Sequence, residues 1–209
     1  MTTRKGPFTT TRPFVLASGS PRRQELLAEL GLQFTVRPSA LEEPKPDADE
    51  APQAYVKRMA ELKTLDVAAS FPGHIVLGAD TIVVLNDQIM GKPKNNEHAL
   101  EMLMALSGKT HQVMTGFCMV LPDAARITKA VSTDVDMRLS SKDELKAYIA
   151  TGEPTDKAGA YAIQGIGTFL VTAIRGSYTN VVGLPVAMVV EALTTSGVIA
   201  VSNQDRTLF

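Results

Sequence analysis

The chain has few of the residues that stabilise folds through covalent or metal links. Its 209 residues include one cysteine, three histidines and no tryptophan. A single cysteine excludes a disulfide framework within the chain, and the scattered histidines lack the spacing of zinc ligands. Cys118 lies in the apolar run Phe117–Leu121, so we predict that it is a small, buried side chain.

The chain also lacks an excess of charge of either sign and any long apolar run. The 21 basic and 22 acidic residues give a formal net charge of −1, which offers no electrostatic footprint for nucleic acid or an acidic membrane. No apolar segment approaches the roughly 18 residues of a membrane span, and Met1–Arg12 has no apolar core of a secretory signal. We therefore expect a cytoplasmic protein without nucleic-acid or membrane partners.

Two catalytic motifs are absent as well. No stretch matches GxxxxGK[ST], which excludes a P-loop enzyme. The segment Gly19–Arg22 lacks the second glycine of the GxSxG nucleophile elbow, which excludes serine hydrolases of that type.

The ten residues from Phe14 to Arg23 predict a strand, a turn and a helix. The first four are apolar, and Ser20 and Pro21 are suited to cap and to begin the helix. A helix N-terminus with free backbone amides and two arginines, Arg22 and Arg23, indicates a phosphate site. The alternative is a capped helix with two solvated arginines.

Asp80 stands in the middle of the most apolar run of the chain, His74–Leu85. An isolated buried charge is very costly, so this carboxylate must be paired, hydrated or bound to a metal. Gly78 and Ala79 leave the adjacent backbone approachable, which favours a ligand there. The alternative is an aspartate at a strand end that caps a turn.

Strands alternate with helices along the chain, and two long hairpin-like sections favour a mixed sheet over a purely parallel one. We predict one domain at residues 14–195, with a loose tail at residues 1–13 and a second tail at residues 196–209. The acidic, proline-rich segment Ser39–Pro52 is expected to be a surface loop. His111 stands alone at a strand start and is interpreted as structural.

Local patterns predict further elements in the second half of the chain. Ser141 and Glu144 have the spacing of a capping box at the start of a helix. Asp156–Gly167 is dense in glycine and leads into an expected strand, Thr168–Ile174. Pro185 is expected to begin the final helix.

The remaining candidates for chemistry are polar residues dispersed along the chain. Several cations beside two or three carboxylates suit nucleotide phosphoryl chemistry, because arginine and lysine neutralise phosphate oxygens while carboxylates hold Mg²⁺. From the residues alone we infer a metal-assisted phosphate or nucleotide enzyme. The set consists of Arg22, Arg23, Glu43, Lys63, Asp80, Lys92, Asp156, Lys157 and Gln164.

Eight short motifs, in chain order from about Phe14 to Leu193, resemble the Maf family of nucleoside triphosphate pyrophosphatases. Each motif is weak alone, but their ordered series is specific. The motifs are Ala17–Arg23, Glu42–Glu43, Tyr55–Lys63, Gly78–Thr81, Gly91–Pro93, Leu106–His111, Asp156–Tyr161 and the segment from Gly176 to Pro185.

The resemblance implies an activity, a fold and partners. The expected reaction is hydrolysis of a nucleoside triphosphate between the α- and β-phosphates, with Mg²⁺ or Mn²⁺ as cofactor. The expected fold is α/β, a mixed twisted sheet flanked by helices in two lobes with a central cleft, like that of inosine triphosphatases. A homodimer is also implied.

The resemblance further implies roles for individual residues. Asp80 matches the proton acceptor of the family. Because a free aspartate, with a pKa of about 3.9, is a poor base at neutral pH, we favour a role in orienting or deprotonating a metal-polarised water. Glu43 would help Asp80 to hold the metal. The residues expected to bind the substrate are Ser18, Ser20, Arg22, Lys63, Lys92, Asp156 and Lys157.

The identity of the base is indicated by Ile163–Gly165, which matches the family branch that acts on dTTP and UTP. The amide of Gln164 offers one donor and one acceptor, which match O4 and N3–H of uracil or thymine. Arg22 and Thr81 match the other specificity positions of that branch. Two alternatives stay open: a 7-methyl-GTP pyrophosphatase, in which a glutamate replaces the glutamine, and a nucleotide-binding regulator of cell division without turnover.

Overall fold

In the computed structural model, residues 6–202 are described, and they form nine strands and six α-helices within that range. The strands are β1 (Phe8–Thr10), β2 (Phe14–Leu16), β3 (Thr35–Val36), β4 (Ile75–Leu85), β5 (Gln88–Met90), β6 (Thr110–Val120), β7 (Arg126–Met137), β8 (Val171–Arg175) and β9 (Ile199–Val201). The helices are α1 (Pro21–Glu29), α2 (Pro52–Ala68), α3 (Asn96–Leu106), α4 (Lys142–Ala150), α5 (Tyr178–Val182) and α6 (Val186–Thr195).

Seven of the strands form one mixed sheet in the order β3-β2-β4-β6-β7-β8, with β5 beside β4. β2 runs parallel to β3 and β4, whereas the pairs β4–β5, β4–β6, β6–β7 and β7–β8 are antiparallel. The prediction of a mixed sheet flanked by helices is confirmed.

One edge of β4 is interrupted. β2 pairs with Ile75–Leu77 and β5 pairs with Val83–Leu85, so residues 78–82 have no strand partner on that edge. The opposite edge pairs continuously with β6 from Val76 to Val84. The gap therefore leaves backbone groups of the central strand accessible beside Asp80.

The two faces of the sheet are covered differently, because alternate residues of a strand point to opposite faces. On one face α2 packs along β4 and β6, with Met59 and Ile82 among its buried contacts. On the other face two apolar clusters lie apart along β4: Ala79 belongs to one with α1 and α6, and Val83 to one with α3 and α4. Thr81 lies between them.

Helix α2 approaches the sheet so closely that two strand positions accommodate only glycine. A Cβ atom built on Gly78 would lie 2.3 Å from Thr64 Oγ1, and one built on Gly116 would lie 2.4 Å from the carbonyl oxygen of Val56. Real Cβ contacts do not occur at these distances. This close packing fixes the height of α2, and thus of its Lys63, above the strand that carries Asp80.

The prediction of tails outside residues 14–195 is wrong for β1 and β9, which are paired strands. β1 and β9 pair as a separate antiparallel ribbon in which Phe8 lies opposite Val201. This pairing joins residues almost 200 positions apart, which no local pattern shows. The rest of the two predicted tails, residues 1–5 and 203–209, lies outside the described residues.

Other predictions are confirmed or corrected in detail. The capping box of Ser141 and Glu144 is present, and Cys118 is buried. The strand expected at Thr168–Ile174 begins later, because Gly165–Leu170 forms a 3-10 turn before β8. The short helix α5 was not predicted.

Candidate active site

A cavity of about 690 Å³ opens beside the gap in β4. Its wall comprises the β2–α1 turn and the start of α1, part of the loop before α2, β4 itself, and the glycine-rich segment after α4. Eleven of the residues predicted from sequence line this one space: Ser18, Ser20, Arg22, Arg23, Glu43, Lys63, Asp80, Thr81, Lys92, Asp156 and Lys157.

Asp80 is held by an ion pair on the α2 face of the sheet. The Lys63 ammonium donates to Asp80 Oδ1 at 2.6 Å and to Glu43 Oε1 at 2.7 Å. The side chains of Asp80 and Lys63 are 11% and 16% exposed, against 53% for Glu43. Oδ2 of Asp80 accepts no hydrogen bond from another described residue and is open to the cavity.

Asp80, Lys63 and Glu43 form a triad in which Lys63 and Glu43 stabilise each other's charge. Burial acts to lower the pKa of Lys63, but the Asp80 and Glu43 carboxylates overcome it and raise that pKa above its usual value. Burial acts to raise the pKa of Glu43, but Lys63 and then Lys92 hold it below its usual value. Lys63 is therefore a permanent cation, and Glu43 a permanent anion, at neutral pH.

The loop that carries Glu43 is fixed at both ends. Near its start, Asp66 of α2 accepts hydrogen bonds from the Ser39 hydroxyl and the Ala40 amide. Near its end, Arg58 donates two hydrogen bonds to the carboxylate of Glu50. The prediction of a surface loop is confirmed, and these contacts position its exposed carboxylate over Lys63.

The N-terminus of α1 leaves backbone amides available to an anion. Ser20 occupies the N-cap position, as predicted, but its side chain makes no capping hydrogen bond. Pro21 has no amide hydrogen, so the next amides, of Arg22 and Arg23, are the free donors of the first turn. The Arg22 side chain lines the cavity without a hydrogen bond to another described residue.

Arg23, the second arginine of the predicted phosphate site, differs from Arg22 because its side chain binds other groups of the protein. Its guanidinium donates to the carbonyl of Gly183 at 2.8 Å, to the carbonyl of Ala79 at 2.8 Å, to Ser18 Oγ at 3.0 Å and to Thr81 Oγ1 at 3.0 Å. It thus joins three segments across the gap in β4. Burial lowers the pKa of this guanidinium, which stays charged because arginine keeps its proton at all ordinary pH values.

A chain of hydrogen bonds continues from Thr81 into the protein. The Thr81 hydroxyl lies 2.9 Å from that of Thr115 on β6, which in turn donates to the backbone carbonyl of Asn180 at 3.0 Å. The Asn180 amide donates to Thr133 Oγ1 at 3.0 Å. Residues of α1, β4, β6, α5 and β7 are therefore linked behind the cavity.

Lys92, Asp156 and Lys157, the predicted substrate-binding residues from later segments, also line the cavity. Lys157 donates to Asp156 at 2.6 Å and to the carbonyl of Glu153 at 2.7 Å. Burial acts to raise the pKa of Asp156, but Lys157 and then Arg22 hold it below its usual value. Lys92 is exposed at the cavity edge.

Gln164 is the predicted site residue that does not line the cavity. Ala162 and Ile163 do line it, and Gln164 follows them at the start of the 3-10 turn Gly165–Leu170. The Gln164 side chain makes no hydrogen bond to another described residue. Its role in base recognition stays a prediction.

Sequence reasoning missed Tyr161 as a cavity residue and its pairing with His111. Tyr161 lines the cavity, and its hydroxyl lies 2.7 Å from Nε2 of the buried His111. Burial lowers the pKa of His111 to about 4. The prediction that His111 is structural is consistent with this pairing, although its partner could not be identified before the fold was known.

Two carboxylates are available for a divalent cation. Asp80 and Glu43 converge on a single ammonium, and Mg²⁺ is usually held by one or two carboxylates together with phosphates and waters. The donor set therefore fits such a cation in the presence of a triphosphate. Within residues 6–202, no three His, Cys, Asp or Glu side chains cluster as a metal site by themselves.

Among the helices of the described chain, none has the length and apolar composition to cross a bilayer.

The similarity to known proteins covers most of the described residues. A family model described as "Maf-like protein" matches residues 13–196. The chain is 50% identical over 199 residues to a dTTP/UTP pyrophosphatase of Nitratidesulfovibrio vulgaris, covering 95% of each chain. It is 49% identical over 183 residues to a dTTP/UTP pyrophosphatase of Myxococcus xanthus, covering 88% of this chain and 92% of that protein.

Among solved structures, the Staphylococcus aureus Ham1 protein is similar with a TM-score of 0.46 and 16% identity, covering 77% of this chain and 80% of that one.

Proposed function

The chain belongs to the Maf-like protein family, and we propose that it hydrolyses dTTP and UTP to the nucleoside monophosphate and pyrophosphate. The observation that carries the proposal is the Asp80–Lys63–Glu43 triad, in which one carboxylate oxygen faces a cavity able to contain a nucleotide. Cavities of this size are typical of small-molecule sites. The relatives named dTTP/UTP pyrophosphatase support the same reaction.

In the proposed reaction, a water oxygen forms a bond to the α-phosphorus while the bond from that phosphorus to the bridging oxygen breaks. Pyrophosphate leaves with the electron pair of that bond. Asp80 orients the water through its open Oδ2 and accepts the proton. Arg22, Lys92 and the free amides of α1 bind phosphate oxygens and stabilise the charge that develops on them.

Glu43 and Asp80 are the residues that would hold Mg²⁺ or Mn²⁺ in this site. When bound, such a cation neutralises phosphate charge and lowers the pKa of a coordinated water. Lys63 keeps the two carboxylates together in its absence, since it already bridges them. The homodimer, the cytoplasmic location and the absence of nucleic-acid partners stay predictions.

Base recognition is assigned to Gln164, with Thr81 and Arg22 as the other specificity positions. A glutamine amide can pair with both N3–H and O4 of uracil or thymine, whereas a carboxylate only accepts hydrogen bonds. The substitution Gln164→Glu is therefore expected to lower kcat/KM for dTTP and UTP more than for other triphosphates.

The test is pyrophosphate release from a panel of common and modified triphosphates, including 7-methyl-GTP, for the wild type and Gln164→Glu. Hydrolysis of dTTP and UTP that is lost with EDTA and restored by Mg²⁺ is the expected result. Preference for 7-methyl-GTP would point to the other branch of the family. Tight binding of dTTP without release of pyrophosphate would point to a regulator.

A further inference from the structure

Glu153 makes three hydrogen bonds through a carboxylate to which sequence reasoning assigned no role. It accepts from the Ile166 amide at 2.9 Å, from the Gly167 amide at 2.8 Å and from the Tyr148 hydroxyl at 2.7 Å. Burial acts to raise the pKa of Glu153, but these donors and Lys157 hold it below its usual value. The group is therefore a fixed anion with its acceptors directed at one segment of backbone.

Tyr148 extends this contact to the other end of the same segment. Its buried hydroxyl donates to Glu153 and accepts from the Ala162 amide at 3.2 Å. The carboxylate and the phenol together thus hold Ala162 on one side and Gly167 on the other. The residues enclosed between these anchors are Ile163, Gln164, Gly165 and Ile166.

The glycines of this segment allow the backbone to reach the anchors. Gly165 has a φ of +79°, and a Cβ atom built on it would lie 2.3 Å from Glu153 Oε1. A Cβ atom built on Gly167 would lie 2.5 Å from the Tyr148 hydroxyl. Both positions therefore require glycine if the carboxylate and phenol are to stay where they are.

We propose that Glu153, acting with Tyr148, is a positioning residue that fixes the segment Ala162–Gly167 and thereby places Gln164 against the pyrimidine base. This inference rests on the proposed function, in which Gln164 reads the base. Glu153 does not contact substrate in this proposal. Its effect passes through backbone amides, because a side chain can be aimed reproducibly only from a fixed backbone.

The test compares a substrate that has a base with one that does not. UTP and ribose 5-triphosphate share the phosphates, and the ratio of their kcat/KM values isolates the contribution of the base. In Glu153→Gln, one acceptor oxygen is replaced by an NH₂ group that faces an amide donor, so we expect this ratio to fall about tenfold, mainly through KM for UTP. Tyr148→Phe is expected to lower it about threefold.

The matched control is Glu144→Gln. Glu144, in the first turn of α4, also accepts a backbone hydrogen bond, from Ser141, and pairs with Arg138, but none of its hydrogen bonds reaches the segment Ala162–Gly167. Its substitution is expected to lower Tm by a comparable amount and to leave the substrate ratio unchanged. A ratio that changes equally in both variants would show that only stability is being measured.

Three results would overturn the inference, and the third would also overturn base reading by Gln164 in the proposed function. A wild-type ratio in Glu153→Gln, where Gln164→Glu lowers it, would show that the segment needs no such anchor. Equal losses on UTP and ribose 5-triphosphate would show a general structural role. If Gln164→Glu itself leaves the ratio unchanged, base reading by Gln164 is wrong, and positioning by Glu153 is wrong with it.

Discussion

Asp80 and Thr81 are consecutive residues of β4, yet they lie on opposite faces of the sheet in very different surroundings. On the face of Asp80, charged groups meet at the edge of solvent: Lys63 bridges two carboxylates, and Arg58 pairs with Glu50. On the face of Thr81, neutral hydroxyl and amide groups form a buried chain that begins at a single cation, Arg23.

From this difference we expect the Asp80 face to carry the residues that affect turnover and the Thr81 face to carry residues that stabilise the fold. Lys63 keeps Glu43 as a partner if Asp80 is neutralised beside the open cavity, whereas the groups buried behind Thr81 cost a great deal if they lose their partners. We therefore expect substitutions on the Asp80 face to change turnover without unfolding the protein. Substitutions on the Thr81 face are expected to change stability first and catalysis as a consequence.

The largest expected effect is that of Asp80→Asn, which removes the proton acceptor and keeps the shape of the side chain. We expect kcat to fall about 1,000-fold, within the range typical of general base groups, while Tm stays close to that of the wild type. Pyrophosphate release and thermal unfolding measure the two quantities. Asp87→Asn, in an exposed turn, is the control for loss of a carboxylate, and a large fall in Tm for Asp80→Asn alone would break the proposed division.

The second expected effect is that of Arg23→Lys. Lysine keeps the charge but cannot serve four acceptors in three segments at once, so the free energy of unfolding is expected to fall by about 3 kcal/mol. Urea unfolding at pH 7 measures this loss. Arg22→Lys is the matched control, expected to raise KM for the triphosphate with a change in stability below about 0.5 kcal/mol. Equal destabilisation by both substitutions would contradict the assignment of the two arginines.

The smallest effect concerns His111, which lies on β6 on the same face as Thr81. Because burial lowers its pKa from 6.5 to about 4, the folded state binds fewer protons than the unfolded state between these values. Its contribution to stability is fully present above pH 6.5 and decreases as the pH falls. Between pH 7 and pH 5 this amounts to a loss of about 2 kcal/mol.

Urea unfolding of the wild type and His111→Gln at pH 7 and pH 5 measures this contribution. The pH-dependent loss is expected to be smaller by about that amount in His111→Gln. His74→Gln, at a partly exposed histidine that makes no buried pair, is expected to retain the wild-type dependence. An unchanged dependence in His111→Gln would show that burial of this histidine is not linked to the pH response.

Local patterns were sufficient for the parts of the fold that are stabilised locally. The long apolar strands, the capping box of α4 and the turn before α1 all depend on residues close together in sequence. The family resemblance, which depends on the order of the motifs, predicted which residues form the site, and ten of these residues line one cavity. Pairing of β1 with β9 and the position of α5 could not be predicted, because they depend on contacts between distant segments.

The assignment of the two arginines shows what helical geometry could have added. Arg23 precedes Leu27 by four residues, and Leu27 is the buried leucine of α1, so the two share the inward face of the helix. Arg22 is displaced by about 100° from that face. Glu153 had no comparable signal, because an acidic residue in a turn is usually solvated and its three donors lie in other segments.

The ribbon of β1 and β9 has a consequence for engineering of the chain. The Ser202 amide donates to the Pro7 carbonyl at 2.9 Å, and the Ser202 hydroxyl donates to the Gly6 carbonyl at 3.2 Å. A linker of a few residues could therefore join positions 6 and 202 and give a circular permutant opened at the exposed β6–β7 turn near Asp123. In such a permutant the order of the motifs changes, while every residue of the cavity wall keeps its neighbours.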